Sequence, residues 1–180
     1  MKHPALRAIA LVSGLTGLTV ALPGVAEADP TDQNITASIH AIRPADSVKP
    51  LKTTEDDGKR VTVRISADLL FAFDKADLTA AARRTLAQLT PQLKSSVGTI
   101  EVGGHSDSIG DPGYNRSLSK KRADAVRATL EQQLGGGIGD RIQARGFGET
   151  KPVAPNQSGG KDNPEGRAQN RRVEIVFTKP

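Results

Sequence analysis

The 180-residue sequence has no cysteine and no tryptophan, and only one tyrosine and four phenylalanines. Without cysteine there are no disulfides, no thiolate metal sites, no thiol nucleophile and no residue to carry a lipid at a mature N-terminus. Scarce aromatics leave the core to Val, Leu, Ile and Ala. They also withhold the stacking platforms on which single-strand nucleic-acid binders rely, so no nucleic-acid partner is expected. Histidine is sparse too: His3, His40 and His105 are far apart in the chain, a poor set for a zinc ion that needs three or four ligands. No Gly-x-Ser-x-Gly elbow is present. Catalysis, metals and cofactors are therefore not expected.

Beyond residue 28 no stretch approaches the about 20 predominantly apolar residues of a spanning helix. The first 28 residues differ: Lys2 and Arg7 precede a mainly apolar run from Ala8 to Leu22, and Ala26-Glu27-Ala28 offers small residues at the positions a signal peptidase reads. Ser13, Gly14, Thr16, Gly17 and Thr19 dilute the run and Pro23-Gly24 interrupts it, which favours a cleaved leader at 1–28 over a retained anchor. Its removal leaves 23 Lys plus Arg against 19 Asp plus Glu. That modest positive balance suits a polyanionic neighbourhood such as a cell wall.

Residues 29–60 read as a polar extension or linker, with an alternating patch at 35–42 that has the pattern of a short edge strand. They are too few for a membrane barrel, whose smallest form needs eight strands of about 9–11 residues. Thr53 to Arg60 reads as a turn or linker, and a single domain is expected over 61–180. Val61 to Ile65 alternates as a half-buried strand, and Phe71 and Phe73, two apart, would share a face in an extended stretch. Thr79 can cap a helix whose apolar stripe is Leu78, Ala82, Leu86, Leu89 and Leu93, with a bend or stop near Leu89 imposed by Pro91. Thr99 to Gly103 is the next strand, followed by a polar loop from Gly104 to Gly113. A helix then runs from Tyr114 or Asn115 to Leu134, stopped by Gly135-Gly136-Gly137. Arg141 to Phe147 and Arg172 to Phe177 complete the strands, with a loop at 148–162 and a short helix between them. Strands alternating with helices predict an α/β (α+β) sandwich, helices packed on a mixed sheet.

The chemistry concentrates where a strand ends in Gly104-His105-Ser106-Asp107-Ser108-Ile109-Gly110, a position at which α/β folds place ligands. Arg122 lies one turn before Val126, on the flank of the apolar stripe, and a guanidinium there needs an anionic partner. Asp107, fifteen residues upstream, is the expected partner. Asn115 and free helix-start N–H groups would add donors. Together Asp107 and Arg122 suit a zwitterion, whose carboxylate Arg122 forks and whose ammonium Asp107 holds. A structural salt bridge is the competing account on position alone. Asp74 is open between a turn-shaping role and a place in the site. Arg167, Arg171 and Arg172 form a basic cluster, read either as a solvated face or, for Arg171, as part of the pocket. His105 is expected to be packed or hydrogen-bonded.

These blocks, in order, resemble the carboxy-terminal peptidoglycan-binding domain of the OmpA family, shared with peptidoglycan-associated lipoproteins and flagellar stator proteins. They are Phe71-Ala72-Phe73-Asp74-Lys75-Ala76-Asp77-Leu78; Gly104-His105-Ser106-Asp107; Asn115 and Leu118-Ser119 through Arg122-Ala123; Arg145-Gly146-Phe147-Gly148-Glu149 with Pro152 and Asn156; and Gly166-Arg167-Ala168 with Asn170-Arg171-Arg172-Val173. The resemblance covers about residues 60–180. It implies a βαβαββ sandwich that binds the diaminopimelate of the peptidoglycan stem peptide without cleaving it. Asp107 and Arg122 would be the principal ligands, and Asp74, Asn115 and Arg171 would lie around the pocket. Ser106 stands where Thr is common, and Asp74 where some relatives carry Asn. The family's outer-membrane barrel is missing. An exported protein of the periplasm or wall is implied, outer-membrane associated where such a membrane exists. An exported wall hydrolase using His105 and Asp107, and a generic polyanion binder, are the alternatives. Whether the chain forms a homodimer is left open.

Overall fold

The computed structural model describes residues 50–180. The expected leader and the alternating patch at 35–42 lie outside the described residues. Two strands come first, β1 (Lys52–Asp56) and β2 (Arg60–Ser66), then the short helix α1 (Ala67–Leu70), α2 (Ala80–Ala87) and α3 (Thr90–Ser95). β3 (Val97–His105), the long helix α4 (Pro112–Leu134) and β4 (Ile142–Gly148) follow. A small hairpin of β5 (Gln157–Ser158) and β6 (Lys161–Asp162), α5 (Pro164–Asn170) and β7 (Arg172–Thr178) complete the chain. The main sheet has the order β1-β2-β7-β3-β4, with β3 and β4 parallel and the other neighbours antiparallel. This is the mixed sandwich the sequence implies: β2 to β7 follow the βαβαββ order, with α5 set before the last strand and β1 added at the edge.

Alternation decides which face is covered. Val61, Val63 and Ile65 of β2 lie opposite Phe177, Ile175 and Val173 of β7, and Val102 of β3 continues the row beside Ile175. All are buried, and they share one core with Leu86, Leu93, Val126 and Leu130 from the helices. The other face carries ion pairs instead. Glu174 accepts from Arg64 at 2.9 Å and from Arg172 at 2.8 Å, and Glu55 pairs with Arg64.

Local signals place the helices. The Thr79 hydroxyl accepts the Ala82 N–H at 3.0 Å and starts α2; Pro91, in the first turn of α3, divides the apolar stripe into two helices as its missing N–H requires. α4 starts earlier than its apolar pattern suggests, because Asp111 caps it by accepting the Tyr114 N–H at 2.8 Å and Pro112 occupies its first position. Three further expectations change. Residues 52–56, within the stretch read as extension and turn, form the edge strand β1. Gly104 and His105 belong to β3 rather than to the loop. Phe71 is buried while Phe73 is 97% exposed, because the chain leaves extension at Asp74, whose φ of 56° is left-handed, in a turn closed by Lys75 N–H donating to Ala72 O.

Two glycines let α4 lie against the strand backbones. A Cβ on Gly104 would sit 2.0 Å from Ser119 O, and one on Gly146 would sit 2.4 Å from Lys120 N. This contact brings the N-terminal half of α4, with Asn115, Ser119 and Arg122, to the end of β3.

Candidate functional site

The loop from Ser106 to Asp111 is fixed from several sides. Ser106 N–H donates to Gly148 O at 2.9 Å, and Gly148 N–H donates to the Ser119 hydroxyl at 2.9 Å, so β4, the loop and α4 are tied together. The Asn115 amide donates to Ile109 O and to a Glu149 carboxylate oxygen, each at 3.0 Å. Asn115 therefore braces the loop, with its amide N–H groups directed at these protein acceptors.

Asp107, buried within this loop, accepts the Ile109 N–H on Oδ1 at 3.1 Å and an Arg171 Nη1–H on Oδ2 at 2.9 Å. Arg167 Nε stands farther off, 3.9 Å from Oδ2. The expected direct couple between Asp107 and Arg122 is therefore corrected: the guanidinium that reaches Asp107 belongs to Arg171, at the end of α5. Arg122 instead reaches the turn after Phe71. Its Nε donates to Lys75 O at 2.9 Å, and its guanidinium carbon lies 5.2 Å from the centre of the Phe71 ring.

Arg122 is 8% exposed, yet among the described residues its two terminal nitrogens donate to no protein acceptor. Burial pushes its pKa below the ordinary arginine value, and the nearby Asp68 and Asp74 carboxylates work in the opposite direction. It remains a cation. The result is a planar fork fixed at Nε, with its outer edge unused.

Asp74 accepts the Tyr114 hydroxyl hydrogen, an interaction that raises the tyrosine pKa. Both stand beside Arg122, so Asp74 shapes a turn and contributes charge to the site. Tyr114 and Asp68 were missed by the sequence reading. The signal for Tyr114 was its place in the first turn after Asp111-Pro112; Asp68 gave none, being separated from Arg171 by 103 positions. The basic cluster is not a solvated face. Arg172 is buried on Glu174, Asn170 O and Lys151 O, and Arg171 joins Asp107 to Asp68. A cavity of about 650 Å³ opens beside the site, lined by Leu51, Arg64, Val153 and Arg172 among others; it reaches Asp68 but neither Asp107 nor Arg122. Among the described residues no group of three or more His, Cys, Asp or Glu side chains is placed to share a metal ion.

His105 is packed rather than hydrogen-bonded. Its ring stacks on Phe147 with centroids 5.1 Å apart, neither ring nitrogen has a hydrogen-bond partner among the described residues, and the Glu174 carboxylate stays 3.7 Å away. Burial, reinforced by Arg172, lowers its pKa to about 4, although Glu174 pulls upward. The imidazole is therefore neutral at pH 7, and its approach to Glu174 is a polar contact rather than an ion pair. A depressed folded-state pKa gives stability that is complete above the unfolded value near 6.5 and is lost as pH falls towards 4. At pH 5 the loss from this residue amounts to about 2 kcal/mol. Thermal melts at pH 7.5 and pH 5 should show a drop of several degrees that His105→Phe, which keeps the stack and does not titrate, largely removes.

A family model for the OmpA family matches residues 70–171, more than half of the chain and the span that holds Arg122, Asp107 and Arg171. The chain belongs to the OmpA family. Outer membrane porin F of Pseudomonas aeruginosa is 43% identical over 115 residues, which cover 62% of this chain and 31% of the porin. The chain thus spans under a third of that relative's length. Among solved structures, the cell wall anchor of the T6SS from Pseudomonas aeruginosa is similar with a TM-score of 0.61 and 32% identity, over 82% of this chain and 96% of that one. The peptidoglycan-associated lipoprotein from Burkholderia pseudomallei gives a TM-score of 0.50 and 31% identity over 61% and 87%.

Proposed function

We propose that this OmpA-family chain is a non-catalytic peptidoglycan-binding module that tethers the envelope to the wall by gripping the diaminopimelate of the stem peptide. The observation that carries the reading is the Arg122 guanidinium, buried and held at Nε, with its terminal N–H edge turned to no acceptor among the described residues. A planar carboxylate fills such a fork with two charge-assisted hydrogen bonds. Asp107 is the acceptor for the ligand ammonium, Arg171 lies beside it, Asp74 and Tyr114 border Arg122, and Asn115 holds the loop. The names of two structural relatives, a cell wall anchor and a peptidoglycan-associated lipoprotein, favour the wall polymer as the partner. The chain acts outside the cytoplasm, in the periplasm or at the wall, after loss of residues 1–28.

Hydrolysis is disfavoured by the state of His105, which is buried against Phe147 and neutral, away from any approach a substrate could use. Mature protein mixed with intact wall sacculi should sediment with them at physiological salt, and Asp107→Ala and Arg122→Ala should stay in the supernatant. Equal sedimentation of all three proteins removes the site. Sedimentation that collapses steeply with salt in all three points to generic polyanion binding.

A further inference from the structure

Arg171 joins two acidic side chains, and it meets them unequally. Its Nε and Nη2 donate to the two oxygens of Asp68 at 3.4 and 2.9 Å, whereas only Nη1 reaches Asp107, at 2.9 Å on Oδ2. Asp68 is held in register with this guanidinium by the backbone. It stands in the first turn of α1, where its N–H donates to the Ser66 hydroxyl at 3.2 Å, and its neighbour Ala67 donates its N–H to Arg171 O at 2.9 Å. Asp68 is more exposed than Asp107, with side-chain exposures of 56% and 12%, so it is the carboxylate that remains in water while Asp107 lies within the site.

A guanidinium and a ligand ammonium compete for the same acceptor at Asp107. An arginine without another partner can fork a carboxylate through two parallel N–H bonds that occupy both oxygens. Arg171 does not do so here: its Nε–Nη2 edge is on Asp68, and the second Asp107 oxygen accepts the Ile109 N–H. We infer that Asp68 is a positioning residue of the site: by taking the Nε–Nη2 edge of Arg171 it limits that side chain to one contact with Asp107 and keeps the Asp107 carboxylate available to the ligand ammonium. This rests on the peptide-binding reading above and adds to it a residue that does not touch the ligand.

The test is calorimetric titration of a diaminopimelate-containing stem tripeptide into the mature protein, with melting temperatures recorded in parallel. Asp68→Ala should weaken binding about tenfold, the scale of one charge-assisted hydrogen bond, while Asp68→Glu stays close to wild type. Arg171→Lys placed on top of Asp68→Ala should restore most of the lost affinity, since lysine cannot fork Asp107. That rescue separates positioning from mere support of the fold. Binding of Asp68→Ala within twofold of wild type, with binding lost in Asp107→Ala, overturns the inference and leaves the peptide reading intact. So does a weakening that Arg171→Lys fails to relieve. Absence of binding by the wild type overturns both.

Discussion

Arg122→Lys is expected to lower the affinity for a diaminopimelate-containing tripeptide by about two orders of magnitude, although the charge is kept. A forked carboxylate–guanidinium contact contributes roughly 2–3 kcal/mol through its two charged hydrogen bonds, and each 1.4 kcal/mol is a factor of ten. Lysine is a point charge on a flexible stem. It cannot hold Lys75 O with one nitrogen and offer a planar edge with two others, which is the arrangement Arg122 has. Arg127, on the same helix, pairs with Glu131 one turn on. Arg127→Lys should leave the affinity unchanged, which makes it the control. Calorimetric titration of the three proteins reads the difference directly.

Gly104→Ala and Gly146→Ala should each cost at least about 3 kcal/mol of stability, enough to lower the melting temperature by roughly 10 °C or to prevent soluble expression. The clash in each case is with backbone of α4, at 2.0 Å for Gly104 and 2.4 Å for Gly146, and no side chain can rotate away to relieve it. The helix must move off the sheet, taking Arg122 with it, so any surviving protein should also bind peptide poorly. Gly136→Ala, where an added Cβ meets nothing within 4 Å, should be near neutral. Denaturation curves of the three variants check the ordering.

Much of this architecture was legible because burial on one face writes itself as alternation. Val61, Val63 and Ile65 marked β2, and Val173, Ile175 and Phe177 marked β7, since each row faces the helices. Thr79 and Pro91 marked helix ends for equally local reasons. Edge strand β1 left no such trace. Its sequence Lys-Thr-Thr-Glu-Asp is exposed along nearly its whole length, so selection for burial imposes no pattern on it. Gly104 and His105 looked like loop because glycine is rare in strands, yet here it admits a helix backbone.

At the site, the local sequence identified Asp107 and Arg122 as unusual, but not the partner each would choose. Arg171 is 64 positions from Asp107, and Lys75 is 47 from Arg122; contacts at such separations are fixed by the fold and not by spacing. The correction sharpens the functional reading. Had Arg122 closed on Asp107, the two proposed ligand-binding groups would have satisfied one another. With Asp107 tied to Arg171 by one bond and Arg122 hydrogen-bonded through Nε, the outer edge of the Arg122 fork meets no acceptor among the described residues.

A crystal structure of the mature protein soaked with a diaminopimelate-containing tripeptide measures that claim directly. The ligand carboxylate should lie across the two terminal nitrogens of Arg122 within hydrogen-bond distance, with the ligand ammonium on Asp107. A peptide seated in the cavity lined by Leu51 and Val153, leaving Arg122 without an anion, would contradict it.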